Sequence, residues 1–281
     1  MEIRVCIAGA TGWAGAAIIR HILSASSTPS ASTSTESSDA RFTLVGAVAR
    51  GQAGSDIGEA LGLPNAGVRI ARTVEEALGT PTDVLIDYTR PNVVKAHTFA
   101  ALNQNVRVVI GTSGLTAADY EEIGRAATER GLGVIAAGNF SITAALAKHF
   151  ALIAAKYLPS WEIIDYAHDD KVDAPSGTVC ELAEELAQVG NPEITIPIEQ
   201  TQGAPAARGA TIDGVQVHSI RLPGYVIAFE AIFGLPDERL TLRHDAGAGA
   251  APYVAGTLLA TREVMRTTGL IRGLDRLLFG S

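Results

Sequence analysis

The segment DYAHDDKVDAPSGT, from Asp165 to Thr178, brings an imidazole, an ammonium and a helix start into one short loop. Helical spacing begins directly after Gly177 as TVCELAEELAQV, and Thr178 with Glu181 has the form of a capping box, so a helix is predicted to start at the loop. The N–H groups of a first helical turn and the positive end of the helix dipole face back into such a loop. Ser176 adds a hydroxyl, and Gly177 lets an oxygen approach the backbone closely. Lys171 supplies a compact positive charge and His168 a proton carrier. Together these residue types can hold a carboxylate and move a proton beside it. They fit equally an ordinary capped helix entered from a solvated polar turn. His168, Asp169, Asp170 and Asp173 are metal-ligand types, but Lys171 among them repels a cation, and no metal is expected.

A second constellation follows the first apolar run, where Gly9, Gly12 and Gly15 stand immediately before helical spacing. Glycines at a strand-to-helix turn let a pyrophosphate rest on the helix N-terminus, the physical basis of dinucleotide binding; alone, the triplet also fits a tight turn. Two later strands end in DYT at Thr89 and in GTSG at Gly111 to Gly114, both at carboxyl ends where ligands bind in open parallel sheets. Arg50 stands where many NAD-binding chains carry an acidic residue, so it is expected either to pair with a 2′-phosphate and favour NADPH over NADH or to be a solvated loop arginine. Trp13, in the glycine turn, either covers the coenzyme or fills a gap between helix and sheet. His21, His97, His149, His218 and His244 lack ligand spacing and are expected to be packing or surface histidines. No Gly-x-Ser-x-Gly elbow supports a hydrolase.

The elements that must position these groups are legible in outline. IRVCIAG, FTLVGAVA, DVLIDYT, VRVVIGTSG and GVIAAGN read as buried parallel strands, with AGAAIIRHILS, VVKAHTFAALNQ and TAADYEEIGRAATERG as helices between them. That pattern is α/β: a Rossmann-like, doubly wound parallel sheet. Beyond Asn139 a long helix, SITAALAKHFALIAAKYL, leads to the strand WEIIDYA, the loop and its helix, and then to several extended segments. These predict a C-terminal α+β domain with a mixed sheet. The expected domains are residues 1–138, completed by a returning C-terminal helix at 251–281, and residues 139–250. The Ser/Thr-rich stretch Ser24 to Ser38 is expected to be a flexible excursion.

With 281 residues the chain can bury a substantial core. Its net charge of -8 argues against a nucleic-acid or anionic-membrane partner, so an anionic substrate must meet a local positive site. Cys6 and Cys180 form no disulfide framework and suit a reducing compartment. The opening MEIRVCIAGATG has no basic leader and no apolar run spans a bilayer, so a cytoplasmic protein is expected.

GATGWAG, the GTSG turn, AAGNFS at Ala136 to Ser141 and above all KVDAPSGT at Lys171 to Thr178 give the chain a resemblance to the 4-hydroxy-tetrahydrodipicolinate reductase (dihydrodipicolinate reductase) family over nearly its whole length. The resemblance implies a homotetramer of two-domain subunits that bind NADPH or NADH and a small cyclic dicarboxylate. It implies that Gly9, Ala10, Thr11, Gly12, Trp13 and Ala14 bind the pyrophosphate. Gly111, Thr112 and Ser113, with Ala137, Gly138, Asn139 and Phe140, would line the nicotinamide side. Lys171 matches the family's catalytic lysine, and Gly177 with Thr178 its grip on a substrate carboxylate. Hydride would go to C4 of the unsaturated ring formed when hydroxyl leaves, with protonation completing the reduction. Three departures stand out. The family's paired histidines read Ala167-His168, leaving His168, Lys171 or a water to deliver the proton. Its GEH group is replaced near Ala228 and Phe229, and AGAGAAPY lacks an expected arginine. A reductase of another cyclic imine and a non-catalytic NADP-binding sensor are the alternatives.

Overall fold

A computed structural model describes residues 1–27 and 40–280. The chain divides into two compact units, Met1–Ser141 with Ala250–Ser281, and Ile142–Gly249. In the first, β-branched apolar runs alternate with helical spacing. They become β1 (Glu2–Ala8), α1 (Trp13–Ser27), β2 (Arg41–Val48), α2 (Ile57–Ala60), β3 (Ile70–Ala71), α3 (Val74–Ala77), β4 (Val84–Asp87), α4 (Pro91–Asn103), β5 (Arg107–Ile110), α5 (Ala117–Glu129) and β6 (Gly133–Ala136). The second unit runs through α6 (Ile142–Ala155), β7 (Ser160–Ala167), α7 (Gly177–Val189), β8 (Ala210–Ile212), β9 (Val215–Arg221), β10 (Ile227–Leu235) and β11 (Glu238–Ala246). The chain then returns to the first unit as α8 (Ala251–Glu263), β12 (Gly269–Arg272) and α9 (Leu274–Phe279).

Among the described residues the first unit's sheet has the order β12-β6-β5-β4-β1-β2-β3, and every pairing is parallel. Strands buried on both faces need apolar side chains at every position, which is why β4 and β6 are buried throughout. Ile3, Ile7, Leu85, Ile86 and Ile110 are fully buried, each worth about 1.5–3 kcal/mol over an exposed side chain. The strand order reverses between β1 and β4, where ligands bind in sheets of this kind.

The second unit's sheet is mixed, in the order β11-β10-β7-β9-β8, with β7 parallel to β9 and the other pairs antiparallel. Period-two alternation puts Trp161, Ile163, Val217, Phe229 and Phe233 on one face, where they meet Ala144 and Ala151 of α6 and Val179, Leu182 and Leu186 of α7. The two helices are pinned by a buried Lys148, whose Nζ lies 2.6 Å from Glu181 Oε1 and 3.0 Å from Glu185 Oε1. Among the described residues no helix is long and apolar enough to cross a membrane.

Three expectations need correction. Ser24 to Ser27, expected within a flexible excursion, are the last turn of α1, with the Ser24 hydroxyl donating to the His21 carbonyl; Thr28 to Ser38 lie outside the described residues. The Thr178–Glu181 capping box does not define the helix start. Ser176 is the N-cap of α7, Thr178 lies inside the first turn, and Glu181 is drawn to Lys148. The tail after the last long helix is more than packing, since it contributes the edge strand β12 beside β6.

Candidate functional site

The glycine turn between β1 and α1 is built so that side chains cannot enter it. Gly9 has φ +82, and a Cβ there would stand 2.4 Å from the Tyr88 carbonyl oxygen. A Cβ on Gly15 would stand 2.3 Å from the Gly9 carbonyl oxygen, so α1 can pack this close to β1 only with glycine at that position. Gly12 donates its N–H to the Gly9 carbonyl at 2.9 Å, closing the turn. These three jobs are a left-handed turn, a bare approach and close helix–strand packing, the demands of a pyrophosphate cradle. The residues present therefore fit a dinucleotide. Within the turn Ala10 and Ala14 are buried, while Thr11 and Gly12 face solvent. Trp13 is 52% exposed, its ring edge-on to Tyr253 at 5.2 Å, so it does not fill a gap between helix and sheet.

The other expected coenzyme residues all follow carboxyl ends of this parallel sheet: Arg50, exposed, after β2; Thr89 after β4; Gly111, Thr112 and Ser113 after β5; and Ala137, Gly138, Asn139 and Phe140 after β6. They share one edge of one sheet. Phe140 is 1% exposed and sits edge-on to Tyr88 at 6.2 Å, which makes its ring part of the floor. Tyr88 is half-buried, with its hydroxyl 2.6 Å from Thr257 Oγ1, and desolvation pushes its pKa up. Gly111 is required beside it, since a Cβ there would meet the Tyr88 ring at 2.2 Å.

Beneath this edge lies a group that sequence reasoning passed over. Asp87, the last residue of β4, is fully buried. Its Oδ1 accepts the Thr89 N–H at 2.8 Å, the Thr89 hydroxyl at 2.5 Å and the Thr112 hydroxyl at 3.2 Å; its Oδ2 lies 2.8 Å from His97 Nδ1. His97, expected to be a packing or surface group, is thus part of a polar cluster joining β4, α4 and the end of β5.

In the second unit the loop from His168 to Thr178 leaves the carboxyl end of β7 and enters α7. His168 is half exposed, its Nδ1 2.8 Å from Asp169 and 2.9 Å from Asp170, and Lys171 Nζ lies 2.6 Å from Asp173 Oδ1. Both cationic groups of the loop therefore face its own acids. The Lys171 N–H donates to the His168 carbonyl at 3.2 Å, so the two proton carriers share one turn. Ser176, expected to offer its hydroxyl to a ligand, instead donates it to Asp165 at 2.7 Å and its N–H to the same carboxylate at 2.9 Å. It does not cap α7 with its side chain, so Gly177 and Thr178 open the helix without a serine oxygen in front of them. Asp165 is fully buried and is also paired with Arg221 at 2.7 Å. The available signal for both missed carboxylates was an acidic residue on the apolar face of a strand, which demands a partner. Ala228 and Phe229, at the altered GEH position, are buried in β10 opposite Tyr166 and Asp165.

Two family descriptions divide the chain between them: "Dihydrodipicolinate reductase, N-terminus" matches residues 3–140, and "Dihydrodipicolinate reductase, C-terminus" matches residues 141–278. The 4-hydroxy-tetrahydrodipicolinate reductase of Moorella thermoacetica is 38% identical over 277 residues, 98% of each chain. That of Desulfitobacterium hafniense is 37% identical over 279 residues, 99% of each. Among solved structures, a dipicolinate-bound dihydrodipicolinate reductase from Paenisporosarcina sp. TG-14 superposes with a TM-score of 0.76 at 32% identity, over 99% of this chain and 100% of that one. An amine dehydrogenase from Mycobacterium smegmatis, at 15% identity and a TM-score of 0.60, shares the fold alone. With matches of this length on both halves, the chain belongs to the dihydrodipicolinate reductase family.

Proposed function

We infer that this protein catalyses the NAD(P)H-dependent reduction of 4-hydroxy-tetrahydrodipicolinate to tetrahydrodipicolinate, a step of diaminopimelate and lysine synthesis. The observation that carries the assignment is the retained Lys171-to-Thr178 loop, whose lysine beside a helix N-terminus suits a dicarboxylate and would have no work in a nucleotide sensor. We assign residues 1–138 with 251–281 to the coenzyme and residues 139–250 to the substrate and to tetramer formation. A homotetramer is supported by the second unit's sheet. α6 and α7 cover one face, while on the other Ile164 and Ile232 line a cavity of about 340 Å³ and, with Ile220, stay partly exposed. We place the enzyme in the cytoplasm, where free thiols such as Cys6 and Cys180 persist.

A reduced nicotinamide, when bound, supplies the hydride. The Gly9–Ala14 turn would receive its pyrophosphate, and the Thr89, Gly111–Ser113 and Ala137–Phe140 strand ends the nicotinamide side. Arg50 would pair with a 2′-phosphate and favour NADPH. In the second unit the N-terminus of α7, through Gly177 and Thr178, would receive a substrate carboxylate. Lys171 would stabilise the electron density that builds on the ring, competing for that role with its present partner Asp173. Loss of the hydroxyl as water takes one proton from an acid and releases one from the adjacent ring carbon, and the protonation that follows hydride transfer consumes one. With alanine at position 167, His168 and Lys171 are the loop's proton carriers, and they share one turn.

The test is a coupled assay that generates the substrate in place and follows NADPH absorbance, with pyrroline carboxylate as the comparison imine. Turnover with the dicarboxylate, falling about 100-fold or more in Lys171→Ala, is expected. Consumption only of pyrroline carboxylate, or of neither, would overturn the assignment. In the same assay Arg50→Ala should lower kcat/KM for NADPH about tenfold and leave NADH nearly unchanged; equal loss for both would remove the 2′-phosphate role.

A further inference from the structure

The second unit carries an ion pair, with Asp165 fully buried and Arg221 half-buried, that touches the anion loop at Asp173 and at Ser176. Asp165 and Arg221 sit on adjacent parallel strands, β7 and β9, with Asp165 opposite Ser219 and Ala167 opposite Arg221. The alternation that buries Ile163 and Val217 also turns Asp165, Ser219 and Arg221 to that side of the sheet, with Asp165 fully buried, Arg221 half-buried and Ser219 exposed. Asp165 Oδ2 receives Arg221 Nη2 at 2.7 Å, the Ser176 N–H at 2.9 Å and the Ser219 hydroxyl at 3.4 Å, while Oδ1 receives the Ser176 hydroxyl at 2.7 Å. The same Nη2 donates to the Asp173 carbonyl at 2.8 Å, and Nη1 donates to the Ile220 carbonyl at 3.0 Å. The chain from Asp173 to Ser176 is therefore gripped twice. One end is held by the guanidinium and the other by the carboxylate that the guanidinium neutralises.

We propose that Asp165 and Arg221 form a clamp that fixes the distance from Lys171 to the N-terminus of α7, and so sets the affinity for the dicarboxylate. Both are positioning residues. The Nη hydrogen bonds of Arg221 point into the protein, toward Asp165, Asp173 and Ile220, so it acts on the ligand only through the loop. The planar fork matters, because one nitrogen serves a carboxylate and a carbonyl at once, which a lysine ammonium matches poorly. The clamp also reassigns Ser176: its hydroxyl acts through Asp165. The ligand effect rests on the dicarboxylate-reductase assignment, whereas the loop effect does not.

The experiment measures KM for the dicarboxylate, Kd for pyridine-2,6-dicarboxylate and Kd for NADPH in the full-length enzyme. Arg221→Lys is expected to raise both dicarboxylate constants about tenfold while the NADPH Kd stays within about twofold. Ser176→Ala is expected to raise them about threefold in the wild-type background and not at all in Asp165→Asn, since residues acting as one unit are non-additive. Unchanged dicarboxylate constants in Arg221→Lys would overturn the clamp. So would an equal change in the NADPH Kd, or a Ser176→Ala effect of the same size in both backgrounds. If the wild-type enzyme binds no pyridine dicarboxylate, the reductase assignment fails by itself, and amide hydrogen exchange over residues 172–178 then decides the clamp. Faster exchange there in Arg221→Lys, with the first unit's peptides unaltered, supports it; identical exchange overturns it.

Discussion

Each unit of this reductase buries a carboxylate beneath the loops proposed above to hold its ligand, and the two are satisfied in opposite ways. Asp87 ends β4 and collects donors from the two strand ends and the helix around it: the Thr89 N–H and hydroxyl, the Thr112 hydroxyl and His97. No guanidinium or ammonium pairs with it among the described residues. Asp165, near the end of β7, collects Ser176 and the guanidinium of Arg221, partners 11 and 56 residues away. Donors that belong to turns can rotate toward water if the carboxylate goes. A half-buried guanidinium is satisfied less easily, because its charge stays behind. The coenzyme edge is thus organised by local dipoles and the substrate loop by a long-range ion pair.

The largest expected difference follows from that asymmetry. Removing Asp165 leaves the half-buried Arg221 charge without its carboxylate, so Asp165→Ala should destabilise the second unit by about 3 kcal/mol, the low end for a buried pair. Asp87→Ala removes an acceptor from neutral or adaptable donors and should destabilise the first unit by about 1–3 kcal/mol. The two tryptophans separate the readouts, Trp13 reporting the first unit and the buried Trp161 the second. Urea unfolding of single-tryptophan variants measures both. Equal losses in the two units, or a larger loss from Asp87→Ala, would break the comparison.

Softer substitutions sharpen it on the ligand side. Asp87→Asn keeps the size of the side chain but turns one accepting oxygen into a donor, so either the Thr89 and Thr112 group gives way or His97 must take the tautomer that accepts at Nδ1. NADPH Kd should rise about fivefold to tenfold, with pyridine-2,6-dicarboxylate binding within about twofold of wild type. That is the mirror image of Arg221→Lys. Weakened dicarboxylate binding with unaltered NADPH binding would show that the carboxylate does not organise the coenzyme edge.

Much of this layout was legible in the chain, and what was missed has definite causes. β1, β2, β4, β5 and β6 are continuous apolar runs because both faces are covered, and that pattern survives translation from sequence. β3 is two residues long and exists only by pairing with Ala47 and Val48, so no periodicity could announce it. β12 is a strand because β6 lies beside it. The Thr178–Glu181 spacing is a genuine capping pattern, yet Lys148 on the neighbouring helix takes Glu181. Tertiary pairing overrides local preference there. Likewise the Ser176 hydroxyl turns away from the anion loop because Asp165 meets it. Nothing local marks Arg221 as a partner 56 residues on; only the period-two position of Asp165 beside Ile163 hinted that a counter-charge must exist.

The smallest effect concerns acid, and it too divides the units. His244 of β11 is buried against Phe229, and burial holds its pKa below the ordinary histidine value, with Asp245 opposing weakly. The unfolded chain therefore takes up this proton before the folded one. Its contribution to stability is complete above the unfolded value of about 6.5 and is lost as pH falls from there toward the depressed folded value. In the first unit the groups with a lowered pKa are carboxylates. Asp119 is held down to about 2, first by Lys95 and then by Thr116, and Asp83 is lowered chiefly by Arg4. Their contributions persist until pH falls through the unfolded carboxylate range near about 3.9. Urea midpoints reported by Trp161 should thus begin to decline below about pH 6.5, while those reported by Trp13 hold to about pH 4.5. His244→Gln should flatten the upper part of the Trp161 profile without altering that of Trp13. An unchanged Trp161 profile in that variant would mean that burial of this imidazole does not set the acid response of the substrate unit.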